Sequence, residues 1–178
     1  HWLPCIQRLL RFRPLLPDPL LQERPGQRQR PTPSARSYYD KGQDYRNAGK
    51  WALDIGEYTR ALQLDPNYAW AYLHRGVAYH NQIPLQNQNA INDYTKAIQL
   101  DPGLAEAYAN RGFVYYKNDQ DQNAVADFDK AIQIDPDYAW AYYLRGQAYD
   151  SFLGFGEGAA DNGKACSLDS LWCRSPFN

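Results

Sequence analysis

The chain has 178 residues, enough for one ordinary domain and a tail, and 44% of them are hydrophobic, so a core can form. Lys and Arg number 19 against 20 Asp and Glu, without the basic excess of a dedicated nucleic-acid binder. No stretch approaches the roughly 20 apolar residues needed to cross a bilayer.

Residues 1–34 read as a basic, proline-rich arm. They hold Pro4, Pro14, Pro17, Pro19, Pro25, Pro31 and Pro33, and Arg8, Arg11, Arg13, Arg24, Arg28 and Arg30, against only Asp18 and Glu23. Proline at that density prevents long helices, and net charge opposes collapse. Such a segment is expected to be extended and held by its own domain or by a partner, with Ile6, Leu9, Leu10 and Phe12 as a short apolar face. The chain starts with His1 and contains no Met, which suggests a processed or truncated N-terminus. No intact signal peptide is visible, and the compartment stays undefined: soluble or peripheral, with export open.

After residue 34 the sequence repeats itself. LDPNYAWAYLHRGVAY (64–79), LDPGLAEAYANRGFVY (100–115) and IDPDYAWAYYLRGQAY (134–149) align without gaps. A fourth copy lies upstream, where Tyr38, Gly42 and Tyr45 match Tyr72, Gly76 and Tyr79. The glycines Gly42, Gly76, Gly112 and Gly146 are 34, 36 and 34 residues apart. The two extra residues fall around Pro84, in a turn between helices.

Each repeat predicts two helices. Tyr72, Gly76 and Tyr79 stand at i, i+4, i+7 in the first, and Ala90, Tyr94 and Ala97 do so in the second. Asp-Pro ends the second, because proline disfavours helix in the residue before it and suits the start of the next helix. The helical glycines cost about 1 kcal/mol each relative to alanine, so they imply close helix packing. Ala97 and Ala131 leave room where helices cross. Tyr79, Tyr115 and Tyr149 are expected to fill the volume between hairpins.

The pattern Y-x2-R-G-x2-Y, then A-x3-[YF]-x2-A, then D-P resembles the tetratricopeptide repeat at its 34-residue period. Tyr108, Arg111, Gly112, Tyr115, Ala124, Phe128, Ala131 and Pro136 form the cleanest copy, and the wording is most similar to bacterial-type members. The resemblance covers about residues 35–170. It implies an all-α fold, an α-solenoid of four helix-turn-helix hairpins wound as a right-handed superhelix behind an extended N-terminal arm. The hairpins would span 35–68, 69–104, 105–138 and a degenerate 139–170, with a C-terminal tail at 171–178.

A cation precedes each glycine: Lys41, Arg75, Arg111 and Arg145. Sixteen or eighteen residues later come Glu57, Asp93, Asp127 and Asp161. This predicts a ladder of ion pairs, orienting more than stabilising. The competing reading gives these cations an anionic ligand.

The ends depart from the pattern. Asp54 stands where the middle repeats have Ala90 and Ala124, consistent with a terminal hairpin that faces water. Repeat four has Gly158 at that position, Asn162 at the aromatic one and Ser170 in place of proline. Gly154, Gly156, Gly158 and Gly163 weaken its second helix. Trp172 and Phe177 are candidates for a minimal cap. Cys166 and Cys173 would stand about 10.5 Å apart along a continuous helix, too far for a disulfide; a turn at Asp169–Ser170 makes the bridge feasible.

No catalytic constellation emerges. His74 and His80 are six apart, off one helical face, and H-E-x-x-H, C-x-x-C, a Walker-type loop and G-x-S-x-G are all missing. LGFGEG (153–158) reads as a loose turn. The sequence therefore points to a non-enzyme with no cofactor and no metal.

Function then falls to the surface that the resemblance implies. First-helix positions of such hairpins line a concave groove. Carried over, they are Tyr39, Gln43 and Arg46; Trp70, Leu73, His74, Val77 and His80; Glu106, Ala109, Asn110, Phe113, Tyr116 and Lys117; and Trp140, Tyr143, Gln147 and Asp150. Trp70 and Trp140 are equally compatible with burial between hairpins. An aromatic, amide-rich wall suits a peptide or helix of a partner protein. The family's carboxylate clamp for Hsp90/Hsp70 tails is not matched: Tyr39, Gln43, His74, Glu106 and Asn110 occupy its Lys, Asn and Arg places. The alternative is a structural or assembly subunit of a larger complex, membrane-associated ones included, anchored through the arm.

Overall fold

The computed structural model describes residues 33–83, 85–154 and 156–173. The arm readings for 1–32, and the role suggested for Phe177, lie outside the described residues.

Eight α-helices make up this region, with no strand among the described residues. They are α1 (Ala35–Asn47), α2 (Trp51–Leu64), α3 (Ala69–Asn81), α4 (Asn87–Leu100), α5 (Ala105–Lys117), α6 (Asp121–Ile134), α7 (Ala139–Phe152) and α8 (Ala159–Leu168), followed by a 3-10 turn at Ser170–Trp172. Each odd helix packs on the even helix that follows it, and each even helix on the next odd one. Weaker contacts join α3 to α5 and α5 to α7. The fold is the all-α solenoid that the repeat predicts.

The hairpins close with one recurring bond. The carbonyl of Tyr45, Tyr79 or Tyr115 accepts from the backbone amide just before the second helix: Lys50 at 2.9 Å, Gln86 at 3.1 Å and Gln120 at 2.9 Å. The longer α3–α4 connection keeps the same closure despite its two extra residues. In the shorter turns the chain reverses through a left-handed residue, Gly49 (φ 66°) or Asp119 (φ 57°).

Between hairpins, Asp65, Asp101 and Asp135 leave the helix in extended conformation. Their carboxylates turn back to accept from the amides of Asn67 (3.0 Å), Gly103 (2.9 Å) and Asp137 (3.1 Å). The prolines sit inside these turns. The next helices begin at Ala69, Ala105 and Ala139, so proline does not open them as the sequence suggested.

The core is a row of rings seated on glycines. A Cβ on Gly76 would lie 2.7 Å from the Tyr94 ring, and one on Gly112 would lie 2.8 Å from Phe128. Tyr58, Tyr94 and Phe128 are among the largest fully buried side chains. Hairpin four, with Asn162 in the ring position, packs more tightly still. Any Cβ on Gly158 would collide with the Gly146 backbone, so α7 and α8 touch main chain to main chain.

The ion-pair ladder is present in all four hairpins. Lys41 Nζ lies 3.1 Å from Glu57 Oε1. Arg75 grips Asp93 with two bonds of 2.7 and 2.8 Å, Arg111 grips Asp127 with two of 2.8 Å, and Arg145 grips Asp161 with two of 2.7 Å. Each arginine also donates backwards to the preceding hairpin: to Thr59 Oγ1 (3.1 Å), Thr95 Oγ1 (3.0 Å) and Asp129 Oδ1 (2.6 Å). Tyr79, Tyr115 and Tyr149, expected to fill volume, do a second job together with Tyr72, Tyr108 and Tyr142. Tyr72 and Tyr79, Tyr108 and Tyr115, and Tyr142 and Tyr149 bracket these guanidinium groups at 5.5–6.0 Å. They are half-buried, not enclosed.

Asp54 does not face water. It is fully buried, and neither carboxylate oxygen has a hydrogen-bond partner among the described residues. Removal from water pushes its carboxyl from 3.8 up to about 7, offset only in part by the neighbouring Ile55 amide and the Arg46 charge.

The C-terminal end is stapled. The chain turns extended at Asp169, whose carboxylate accepts from the Leu171 amide at 2.9 Å. That turn brings the Cα atoms of Cys166 and Cys173 to 4.4 Å, and the two are disulfide-bonded. Trp172 lies over Tyr143, with ring centroids 4.7 Å apart.

Candidate functional site

The odd helices supply the candidate surface. Rings from three successive ones meet directly. His80 of α3 sits edge-on to Phe113 of α5 at 5.4 Å, and Phe113 is 5.9 Å from Trp140 of α7. Trp140 in turn is 6.1 Å from Tyr138. Lys117, exposed, places its ammonium 5.3 Å from the rings of both Phe113 and Tyr116. Tyr143 extends the wall towards Trp172. Val77 and Gln147 are half-buried beside this row, and Gln147 donates to Asn162 at 3.5 Å.

A second aromatic group lies at the N-terminal end. Tyr39 stacks on Tyr68 at 4.9 Å and lies 5.7 Å from His74, which is 5.9 Å from Trp70. Trp70 is 42% exposed, a large fraction for so apolar a ring, so it is not buried between hairpins. Trp140 is half-buried.

Four of the residues assigned to the groove are not on its open surface. Tyr39 is buried in the core with Tyr58, Ala61 and Ala71. Leu73 is fully enclosed in the core behind the wall, with Tyr94, Ala97 and Val114. Ala109 is also fully enclosed. His74 is 6% exposed and is hydrogen-bonded through Nδ1 to Arg46. Burial and the Arg46 charge lower its pKa to about 4, so it is neutral at pH 7 and serves Arg46 as an acceptor. Asp150 turns away as well: its carboxylate accepts from the amides of Gly156 (2.9 Å) and Gly158 (2.8 Å) and orders the loop read as loose.

The polar groups of the wall differ in how they are satisfied. Gln43 donates to the Tyr39 hydroxyl at 2.8 Å and accepts from Arg46 at 3.5 Å. Asn110 donates to the Glu106 carbonyl at 2.8 Å. The Glu106 carboxylate has neither a hydrogen bond nor an ion pair among the described residues, and burial raises its pKa against the opposing pull of Arg46. Sequence reasoning placed Arg46 and Glu106 on the wall but had no means to tell which was neutralised.

Among the described residues, no group of three or more His, Cys, Asp or Glu gathers as a metal site. No described helix is long and apolar enough to cross a membrane.

Comparison with known proteins agrees with the repeat. Models described as TPR repeat match residues 42–82 and 86–119, and tetratricopeptide repeat models match 105–138 and 128–165. No curated protein sequence matches significantly. Among solved structures, the crystal structure of MamA is similar over 79% of this chain and 81% of its own, at 26% identity and TM-score 0.70. The Arabidopsis OM64 TPR domain is similar over 67% and 97%, at 24% identity and TM-score 0.64. The first TPR of Spaghetti (RPAP3) bound to the HSP90 peptide SRMEEVD is similar over 68% and 94%, at 21% identity and TM-score 0.65. The last two likenesses concern the fold alone. With successive matches running from residue 42 to 165 and eight helices in paired register, the chain belongs to the tetratricopeptide repeat family, whose members are generally non-catalytic protein-interaction modules.

Proposed function

We propose that this protein is a binding adaptor that takes a peptide or helix of a partner protein along the wall of its odd helices. The observation that carries this reading is the continuous aromatic row His80–Phe113–Trp140 across three helices, with Trp70 left 42% exposed beside it. Phe113 and Trp140 rest on the core around Phe128 and Leu144 but keep part of each ring open, unlike the fully buried Tyr58, Tyr94 and Phe128. Rigid aromatic area is what binding sites concentrate. The contact positions are Gln43, Trp70, Val77, His80, Asn110, Phe113, Tyr116, Lys117, Trp140, Tyr143 and Gln147, with the buried Tyr39, Leu73 and His74 supporting them from behind. The non-basic set Tyr39, Gln43, His74, Glu106 and Asn110 favours a partner segment other than a carboxylate-terminated chaperone tail.

The test is affinity capture of partners by the full chain, compared with Trp70→Ala and Phe113→Ala. Loss of the same partner from both variants, with helicity unchanged, supports the groove. A partner retained by both but lost on deleting residues 1–34 transfers the function to the arm and supports the assembly-subunit reading.

A further inference from the structure

Trp70, Glu106 and Trp140 each occupy the second position of their helix, in α3, α5 and α7 respectively. Those helices are neighbours, so an acid stands at one register between two indoles. Packed helices are spaced by about 8–10 Å, a gap that one long side chain can bridge on either side. Trp140 and Ala105 pack on the same core cluster, Trp140 lies 6.1 Å from Tyr138, and the Tyr138 hydroxyl, its pKa raised first by burial, is raised further by the Glu106 charge. Trp70 is exposed beside the His74 ring.

The ladder carboxylates have been given cations, but Glu106 has not. Asp93, Asp127 and Asp161 hold arginines in two-bond grips, and Glu57 holds both Lys41 and Arg60. The cation with an electrostatic influence on Glu106 is Arg46, and it is already bonded to His74 and Gln43. Glu106 is half-buried, and burial raises its pKa with the Arg46 charge offsetting only part of that. It differs from Asp54 in that its carboxylate oxygens are not sealed, so a ligand can reach them.

We infer that this position receives a lysine or arginine side chain of the partner segment, its cationic head on the Glu106 carboxylate and its stem between Trp70 and Trp140. The chemistry fits on both counts. A guanidinium or ammonium satisfies a half-desolvated carboxylate with charge-assisted hydrogen bonds. The indole faces attract the cation and cover its methylenes. The inference rests on the groove reading proposed above and gives that groove a charge preference.

The experiment is selection of a phage-displayed random dodecapeptide library on the immobilised full chain. Wild type is expected to enrich a motif with one fixed Lys or Arg among apolar residues. Glu106→Gln should keep the apolar positions and lose the basic one. Glu106→Lys should replace it with Asp or Glu. A synthetic peptide of the wild-type motif should bind at least tenfold more weakly when its basic residue becomes norleucine. Circular dichroism checks that the variants fold. A motif without a basic position, or one unchanged by Glu106→Gln, overturns this inference while leaving the groove in place. A motif reproducing this chain's own basic segment overturns the separate partner and makes the occupant the chain itself. Recovery of no motif, or of one indifferent to both Trp70→Ala and Phe113→Ala, overturns the groove as well.

Discussion

Replacing Asp54 by alanine gives α2 the residue that α4 and α6 carry at the same register, Ala90 and Ala124. The carboxyl is fully buried without a hydrogen-bond partner, and its pKa rises from 3.8 to about 7. The folded chain therefore binds this proton more tightly than the unfolded chain. Below pH 3.8 the two states are protonated alike and nothing is lost. As pH rises from there towards 7 the folded state loses stability, and above 7 the loss levels off. At about 1.4 kcal/mol per tenfold difference, the plateau is roughly 4 kcal/mol at most. Asp54→Ala should accordingly stabilise the protein at pH 8, and by roughly 2–3 kcal/mol more than at pH 5. Urea unfolding followed by circular dichroism at both pH values measures this. A gain of equal size at the two pH values, or a loss at pH 8, would refute the burial argument. Asp54→Asn, which removes the charge and keeps the shape, should show the same pH trend.

Arg111→Met strands the 6%-exposed Asp127 without a cation and should cost about 3–5 kcal/mol in chemical unfolding; adding Asp127→Leu should recover most of it. Gly158→Ala imitates the middle repeats yet forces a methyl into the Gly146 backbone. It should lower the melting temperature by the equivalent of about 1–3 kcal/mol. Closing the Cys166–Cys173 loop should be worth about 2.5 kcal/mol on the chain-entropy scale. Reductant should therefore lower the melting temperature and change the Trp172 fluorescence, and Cys173→Ser should make the protein insensitive to reductant.

The period made visible whatever recurs in every repeat. The seats on Gly76 and Gly112, the rings of Tyr94 and Phe128 and the four cation–acid pairs could be read because each position is sampled several times. What a single repeat does alone was misread. Asp54 reads as a solvent-facing departure because nothing in one sequence distinguishes a polar residue turned to water from one sealed under a neighbouring helix. Asp150 was assigned to the wall by register, but the glycines of one irregular loop drew its carboxylate away. Leu73 shares the groove helix yet faces inward, since one helix side serves both its own hairpin and the next. The Arg46–His74 bond joins different hairpins and depends on their mutual offset, which no spacing within a repeat encodes.

The backward bonds of the ladder make the array directional. Arg75 and Arg111 tie into neutral threonines, Arg145 into a carboxylate, and Lys41 begins the series with no described hairpin before it. In a linear array, stability divides into the strength of each unit and the strength of each junction. Here the junctions differ in kind, and the one charged junction, to the half-exposed Asp129, meets the hairpin whose own second helix is shortest and glycine-interrupted. The fourth hairpin thus borrows its persistence from the third.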